Sequence, residues 1–582
     1  MSVLTPDAPA ATAPRGRRGG PGRSRLWWPV VALPAAAAVV YTVVARRLTG
    51  DLHYVLAALR SGEAAGHSPS DLFVHRPFFY RWFVAGLDAL SFGGTALSEA
   101  LMNAAGVLLA AAAAYALYLA LIRRVSGREA ALTAGAVGLA MALAPRVDFL
   151  QPEWAAVVLS VCGVAAALGC ARPWPAALLG ALPLALAVMM KFTTVVTACV
   201  ALLAVYAFDR WRAVRLALVS GAVSLALLGF SLLAAPREWQ WTKDMPRINQ
   251  SALGRTGVDP SELLARTVDF LADRAAPSPV LLLLPGALVL LLARVRGRAR
   301  RAELLLVCLA AGAGSLAVVA YQGNWFTYHG AQLPVLAAAL WGLAVGGSRR
   351  SPPWLFGVAS LALGALTPLY AQAPKALQRP AVLWAVGVLV LLAAVLDAMR
   401  ERRRTRAART DAGPRRAILP AALIALSGVV CLAAGPWPGS PHLVQHGKVQ
   451  ETNAEFLASQ RDAARLADEL RAAGLPEDAP VLYLAFGETA YQLGNPVRCR
   501  YPIATFLQRT RFLPDVAELP SYRENADCVD HDPAPYAVLD RFWFQPGNVD
   551  TALRERIFAV YDCPPPSASL PNSKTVLCTR KA

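Results

Sequence analysis

Long apolar blocks, broken by short arginine-rich segments, run through most of this 582-residue sequence. Blocks of about 18 or more apolar residues are read as membrane-crossing helices, because only a helix or a closed barrel satisfies its own backbone in lipid. Composition agrees, with 56% hydrophobic and only 16% charged residues and a mean hydropathy of +0.42. We place spans near 27–46, 99–121, 129–145, 154–171, 174–190, 192–208, 213–234, 278–293, 303–320, 331–347, 353–370, 380–397 and 417–434, about thirteen in all. The pair around Lys191 reads either as one broken helix or as a tight pair.

The net charge of +19 does not point to a nucleic-acid partner. The arginines sit in short breaks between spans, as in LIRRVSGRE, DRWRAVR, RVRGRARRAE and GGSRRSPP, which is the pattern of topology signals on the cytoplasmic side. Residues 1–26 read as a disordered basic cytoplasmic tail, with Trp27 and Trp28 as interfacial anchors of the first helix. With the N-terminus inside, an odd span count carries residues 435–582 outside. The expected organisation is the tail, a transmembrane domain over 27–434 with long outer loops 47–98 and 235–277, and an outer domain over 435–582. The expected localisation is the plasma membrane, multi-pass.

The last segment changes character. ETNAEFLASQRDAARLADELRAAG has apolar residues at helical spacing and ends at a glycine, while VLYLAFG and YAVLDRFWF read as short buried strands. A small α/β domain follows. Five of the nine cysteines fall in spans; Cys499, Cys528, Cys563 and Cys578 fall in the outer domain. An even set in an oxidising compartment suggests disulfides, with three pairings open.

The first outer loop is the most informative stretch. Asp51 follows the first helix by a few residues and opens the amphipathic LHYVLAALRSGE, which is expected to lie along the interface. HRPFFYRW then mixes His75, Arg76 and Arg81 with aromatics. Arg81 and Trp82 read as interfacial anchors. Asp51 does not, since a carboxylate gains nothing from anionic headgroups. It suits a general base for an acceptor hydroxyl or a ligand for a phosphate-bound divalent metal. RVDFLQPEW carries Arg146, Asp148 and Glu153. Lys191 in VMMKFTTVV is costly between apolar spans unless it snorkels or meets an anion. YQGNWFTYHG carries Asn324, Tyr328 and His329. All these groups are assigned to one membrane face. Cations there would hold phosphate oxygens and stabilise a departing phosphate, while a carboxylate activates the incoming hydroxyl. Glycosyl transfer from a polyprenyl-phosphate sugar needs that division of labour.

On these residues the chain resembles the GT-C superfamily of membrane glycosyltransferases, which includes protein O-mannosyltransferases, aminoarabinose transferases and actinobacterial mannosyl- and arabinosyltransferases. The resemblance implies that Asp51 is the catalytic carboxylate after the first helix. It also implies that Asp148 or Glu153 is a supporting carboxylate, that Lys191 contacts the donor phosphate, and that Tyr328 and His329 form the motif before a late span. His53, His75 and Arg76 join them as candidate substrate contacts. Asp51 is followed by Leu52 and His53 rather than by a second carboxylate, so a bound magnesium or manganese ion, with Asp51 and Asp148 as candidate ligands, is left open. His53 reads either as a carboxylate's replacement or as an interfacial histidine. GETAYQLGNPVRCRYPIATFLQR reads as acceptor contact or, preferentially, as a structural turn. The implied partners are a polyprenyl-phosphate-linked sugar, a glycan, lipid or protein acceptor, and the bilayer. A polysaccharide polymerase or ligase, a lipid-linked-sugar flippase and a non-catalytic assembly protein are the competing readings. A flippase would carry its charges in mid-span, whereas these sit at span ends.

Overall fold

The computed structural model describes residues 28–92, 94–252, 260–347, 352–407, 418–508, 516–564 and 575–582. The basic tail and Trp27 lie outside the described residues. The N-terminal part is helical throughout: α1 (Trp28–Ala45), α2 (Gly50–Glu63), α3 (Phe78–Asp88), α4 (Thr95–Leu121), α5 (Gly127–Ala142), α6 (Pro152–Gly169), α7 (Pro173–Met190), α8 (Val195–Phe208), α9 (Arg210–Ala234), α10 (Glu238–Ala252) and α11 (Pro260–Ala275). There follow α12 (Leu284–Arg294), α13 (Arg298–Gln322), α14 (Gln332–Gly346), α15 (Trp354–Gln372), α16 (Pro380–Ala407) and α17 (Ile418–Leu432).

Each expected span falls on a helix, but length accounts for fewer crossings than thirteen. Among the described residues eight helices are long and apolar enough to cross, or up to ten if two bent pairs each count as one span. Those pairs are α1 with α2, bent by 50°, and α11 with α12, bent by 114°. Part of the shortfall comes from a break. At Lys191 the chain is extended (φ −164°) between α7 and a single turn of 3-10 helix leading to α8. The chain is a multi-pass membrane protein. Side chains such as Leu108, Leu218, Leu225 and Leu233 stand exposed on the bundle, which only a lipid solvent tolerates at this density. Helices meet through small residues: a Cβ on Gly342 of α14 would lie 2.4 Å from the Thr133 Cα of α5, so the two backbones touch as membrane helices do.

The C-terminal part begins with a hairpin, β1 (Pro441–Gln445) and β2 (Lys448–Thr452). Its two-residue turn, His446–Gly447, has φ of 52° and 72°, the left-handed pair that a tight hairpin demands. The helix α18 (Asn453–Ala472) starts in a capping box of Thr452 and Glu455. Then come β3 (Val481–Leu484), α19 (Gly487–Leu493), α20 (Pro520–His531), β4 (Tyr536–Asp540), α21 (Thr551–Val560), β5 (Tyr561–Asp562) and β6 (Thr575–Arg580). The sheet order is β3-β4-β6-β5, with β3 and β4 parallel and the rest antiparallel. Of the three pairings left open, the chain adopts Cys499–Cys528 and Cys563–Cys578. In the second predicted strand only YAVLD is extended; RFWF forms a turn.

Two findings here depart from expectation. The helix α2 does not lie flat with one face in water, because every side chain from Leu52 to Leu59 is buried. Its second face is covered by α19. A Cβ on Gly487 would fall 2.2 Å from the Tyr54 Cα, so glycine is what lets the two helices touch. A single hydrophobic cluster runs from the bundle through α2 into β3 and β4. GETAYQL is therefore part of this packing. Arg81 also departs from expectation: it is no surface anchor but is buried, donating to Glu238 at 2.9 Å and to the Pro69 and Arg76 carbonyls. Trp82 remains exposed.

Candidate functional site

The ends of α1 and α13 and the α5–α6 turn converge at the end of the bundle against which the α/β part packs. They enclose one side of a cavity of about 720 Å³, lined there by Thr49, Asp51, Gln151, Asn324, Trp325 and Tyr328. The other side is made by Asp269 and Asp273 of α11, His442 and His446 of the hairpin, and Phe486.

Asp51 sits in the first turn of α2, which favours an anion at its N-terminus. Its side chain is 35% exposed, and Arg76 Nη2 approaches its Oδ2 to 3.5 Å. Arg76 arrives there because the chain turns sharply before α3. His75 takes a left-handed conformation (φ 54°), which histidine tolerates better than most residues, and Pro77 follows as the N-cap. Arg76 Nη1 donates to the His75 carbonyl at 3.0 Å. Burial, then the charges of Arg76 and Lys191, push the His75 imidazole well below the ordinary histidine range, so it is neutral at physiological pH.

Behind Tyr328 lies a second layer. Lys191 Nζ donates to Glu153 Oε1 at 2.6 Å and to His329 Nε2 at 3.2 Å. Lysine has only donors, so Nε2 is the acceptor and the ring proton of a neutral His329 is on Nδ1. The ammonium is also 5.8 Å from the Tyr328 ring centre. Glu153 is buried, with 4% of its side chain exposed. The expensive lysine is thus matched by a carboxylate and held at the cavity's edge.

Two expected members lie outside this cluster. Asp148 is buried and faces Arg274 across a paired contact, Nη1 to Oδ1 at 2.7 Å and Nη2 to Oδ2 at 2.5 Å. Burial raises its pKa and the Arg274 charge opposes that rise. Of the two candidate supporting carboxylates, Glu153 is the one beside Lys191. His53 points away from Asp51. It is fully buried, 3.1 Å from Glu99 Oε1 and stacked on Tyr491 at 4.1 Å.

The donor set does not fit a divalent metal. Asp51 has an arginine for its neighbour, and Asp148 spends both oxygens on Arg274. Among the described residues no three His, Cys, Asp or Glu side chains group so as to hold one.

Sequence reasoning missed Glu99, Glu238 and Arg274, the buried partners of His53, Arg81 and Asp148, and it missed the hairpin wall. Asp273 accepts from the His446 and Gly447 amides at 3.1 and 2.6 Å, and His446 Nδ1 lies 2.6 Å from Asp269. The spacing of Leu263, Leu264, Val268 and Leu271 in PSELLARTVDFLADRA was the available signal, because it makes α11 an amphipathic helix rather than loop.

His442 gives this wall a pH signature. It is buried with its ring stacked 4.2 Å from that of Phe456, and burial, then the nearby Arg146 charge, lower its pKa to about 3. The unfolded chain takes up a proton near pH 6.5 and the folded one does not, so stability is full above 6.5 and is lost as pH falls toward 3. By pH 5 the loss from this group is about 2 kcal/mol. A His442→Gln variant should show a correspondingly flatter fall in unfolding midpoint between pH 7 and 5; parallel profiles would show that His442 does not titrate this way.

A bent helical bundle with a small α/β part packed on one end and a charged cavity between them is a fold this chain shares with a solved membrane protein. ArnT from Cupriavidus metallidurans, an aminoarabinose transferase, in its structure bound to undecaprenyl phosphate, matches over 96% of this chain and 98% of its own at a TM-score of 0.50 and 18% identity. Its apo structure matches over 95% and 97% at 0.49 and 16%. The oligosaccharyltransferase AglB from Archaeoglobus fulgidus, in complex with an inhibitory peptide and a dolichol-phosphate, matches over 90% of this chain and 70% of its own at 0.33 and 14%. No protein-family model and no curated protein matches the sequence.

Proposed function

We propose that this protein is a glycosyltransferase that moves a sugar from a polyprenyl-phosphate donor to a cell-envelope acceptor at the outer face of the plasma membrane. One observation carries the reading: Asp51, Arg76 and Tyr328 gather at the mouth of a large cavity at the membrane end of the bundle, backed by Lys191, Glu153 and His329. ArnT, whose fold this chain shares, is described with undecaprenyl phosphate bound. In the reaction the acceptor oxygen bonds to the anomeric carbon as the bond from that carbon to the phosphate oxygen breaks. Asp51 accepts the acceptor's proton. Polyprenyl phosphate departs with the bonding pair, and Arg76 stabilises its charge. Lys191 supplies a second cation once phosphate competes with Glu153 for it, and Glu153 and His329 position it. No step is routed through a metal. Arginine-rich breaks on the opposite side and two disulfides in the C-terminal domain support the outward orientation.

Native mass spectrometry on protein in nanodiscs tests the donor half of this reading. Wild type should retain undecaprenyl phosphate at least about tenfold better than undecaprenol. Arg76→Gln should lose roughly 10- to 100-fold of that affinity, the worth of one charge-assisted contact. Equal retention of phosphate and alcohol by wild type would sink the proposal.

A further inference from the structure

At the bend between α1 and α2, behind the hairpin wall of the cavity, two buried arginines face one small void. Arg46 and Arg146 are only 4% and 6% exposed. Arg46 Nη2 donates to the Ala142 and Ala144 carbonyls at 3.0 and 2.9 Å, and Arg146 Nη2 donates to the Ala45 carbonyl at 3.2 Å. These bonds pin both side chains, yet Nη1 of each has no partner among the described residues, and neither has the Thr42 hydroxyl. All three residues line the same void, with Tyr41, Gly435 and Pro436 completing it. Its volume of about 10 Å³ is the space one water-sized species needs.

The nearby carboxylates do not neutralise the pair. Asp148 is taken by Arg274, and Glu99 by His53 and the Leu48 amide at 3.1 Å. Burial first, and then the charge of Arg146, depress the pKa of Arg46, so the two cations repel each other. A neutral water could satisfy two donors but not the charge. An unpaired buried cation is among the costliest features a fold can hold.

We propose that this void is an anion site, taking one halide ion or one phosphate oxygen between Arg46 and Arg146. The occupant would tie three stretches together: the end of α1, the α5–α6 turn and the entry to the C-terminal domain at Gly435. It would therefore brace the bend that leads into α2. The proposal is independent of the transfer reading.

The experiment is a thermal-unfolding series in lipid-free micelles at constant ionic strength, with gluconate, too bulky for the void, as the starting anion. Replacing gluconate by chloride should raise the wild-type midpoint by about 2 °C if the site takes a dissolved ion. A rise on adding phosphatidylglycerol without chloride would assign the oxygen to a lipid headgroup. Arg146→Gln should abolish either rise. No rise in either arm, or an equal rise in Arg146→Gln, overturns the proposal. Should that variant not fold, wild-type crystals soaked in bromide decide between the outcomes: an anomalous peak between the two guanidinium groups supports the site and its absence rejects it.

Discussion

Asp51→Asn is expected to lower glycosyl transfer by roughly a hundred- to ten-thousand-fold, the usual worth of a general base, while leaving the protein folded. Asparagine has the shape of aspartate and still turns an oxygen toward Arg76, but it cannot take up the acceptor's proton. Folding should survive because the side chain is a third exposed and is not what starts α2. The helix begins after Thr49 without a side-chain cap. The measurement is release of polyprenyl phosphate from a labelled lipid-linked sugar, with the unfolding midpoint as control. Transfer at the wild-type rate would remove Asp51 from the chemistry. A collapsed midpoint would show the role to be structural.

The second large effect concerns stability. Arg274→Met removes the partner of Asp148 and strands a buried carboxylate, which costs about 3–5 kcal/mol. Asp148 and Arg274 are each 1% exposed, so solvent cannot make up the loss. A drop of several degrees in unfolding midpoint, or failure to accumulate, is expected. The double variant Arg274→Met with Asp148→Leu should recover much of the loss, because a well-packed apolar pair replaces a buried ion pair at little cost. Were Asp148 instead a donor contact, the double variant would melt like wild type yet lose undecaprenyl phosphate. That result would make Asp148 part of the site despite its pairing with Arg274.

Much of this architecture is legible from hydropathy, because lipid allows so few backbone solutions. The helix positions, the amphipathic α18 and the strands β3 and β4 follow directly from pattern. The residues near Asp51 were legible for a related reason. Charge between apolar spans is expensive, so Lys191, Glu153 and Tyr328–His329 stand out even before one knows that they meet. What pattern could not reveal was pairing at long range. Asp148 and Glu153 sit five positions apart in one turn and look equivalent, and only the distant Arg274 separates them. His53 looks like a neighbour of Asp51 in sequence, but two steps along a helix turn it about 200° away, toward Glu99. Among the described residues fewer than thirteen helices pass by length alone, in part because a break such as the one at Lys191 leaves a helix too short to qualify.

The contact between α2 and the stretch from α19 to Thr505 also constrains how the protein is made. Tyr54 bonds to Thr505 across 451 residues of sequence. At about 5–20 residues per second of synthesis, the first of these waits on the order of half a minute or more for the second. Throughout that interval the greasy upper face of α2 has no cover from its own chain. Helix α2, among the first to emerge, is thus covered only by residues made late in synthesis.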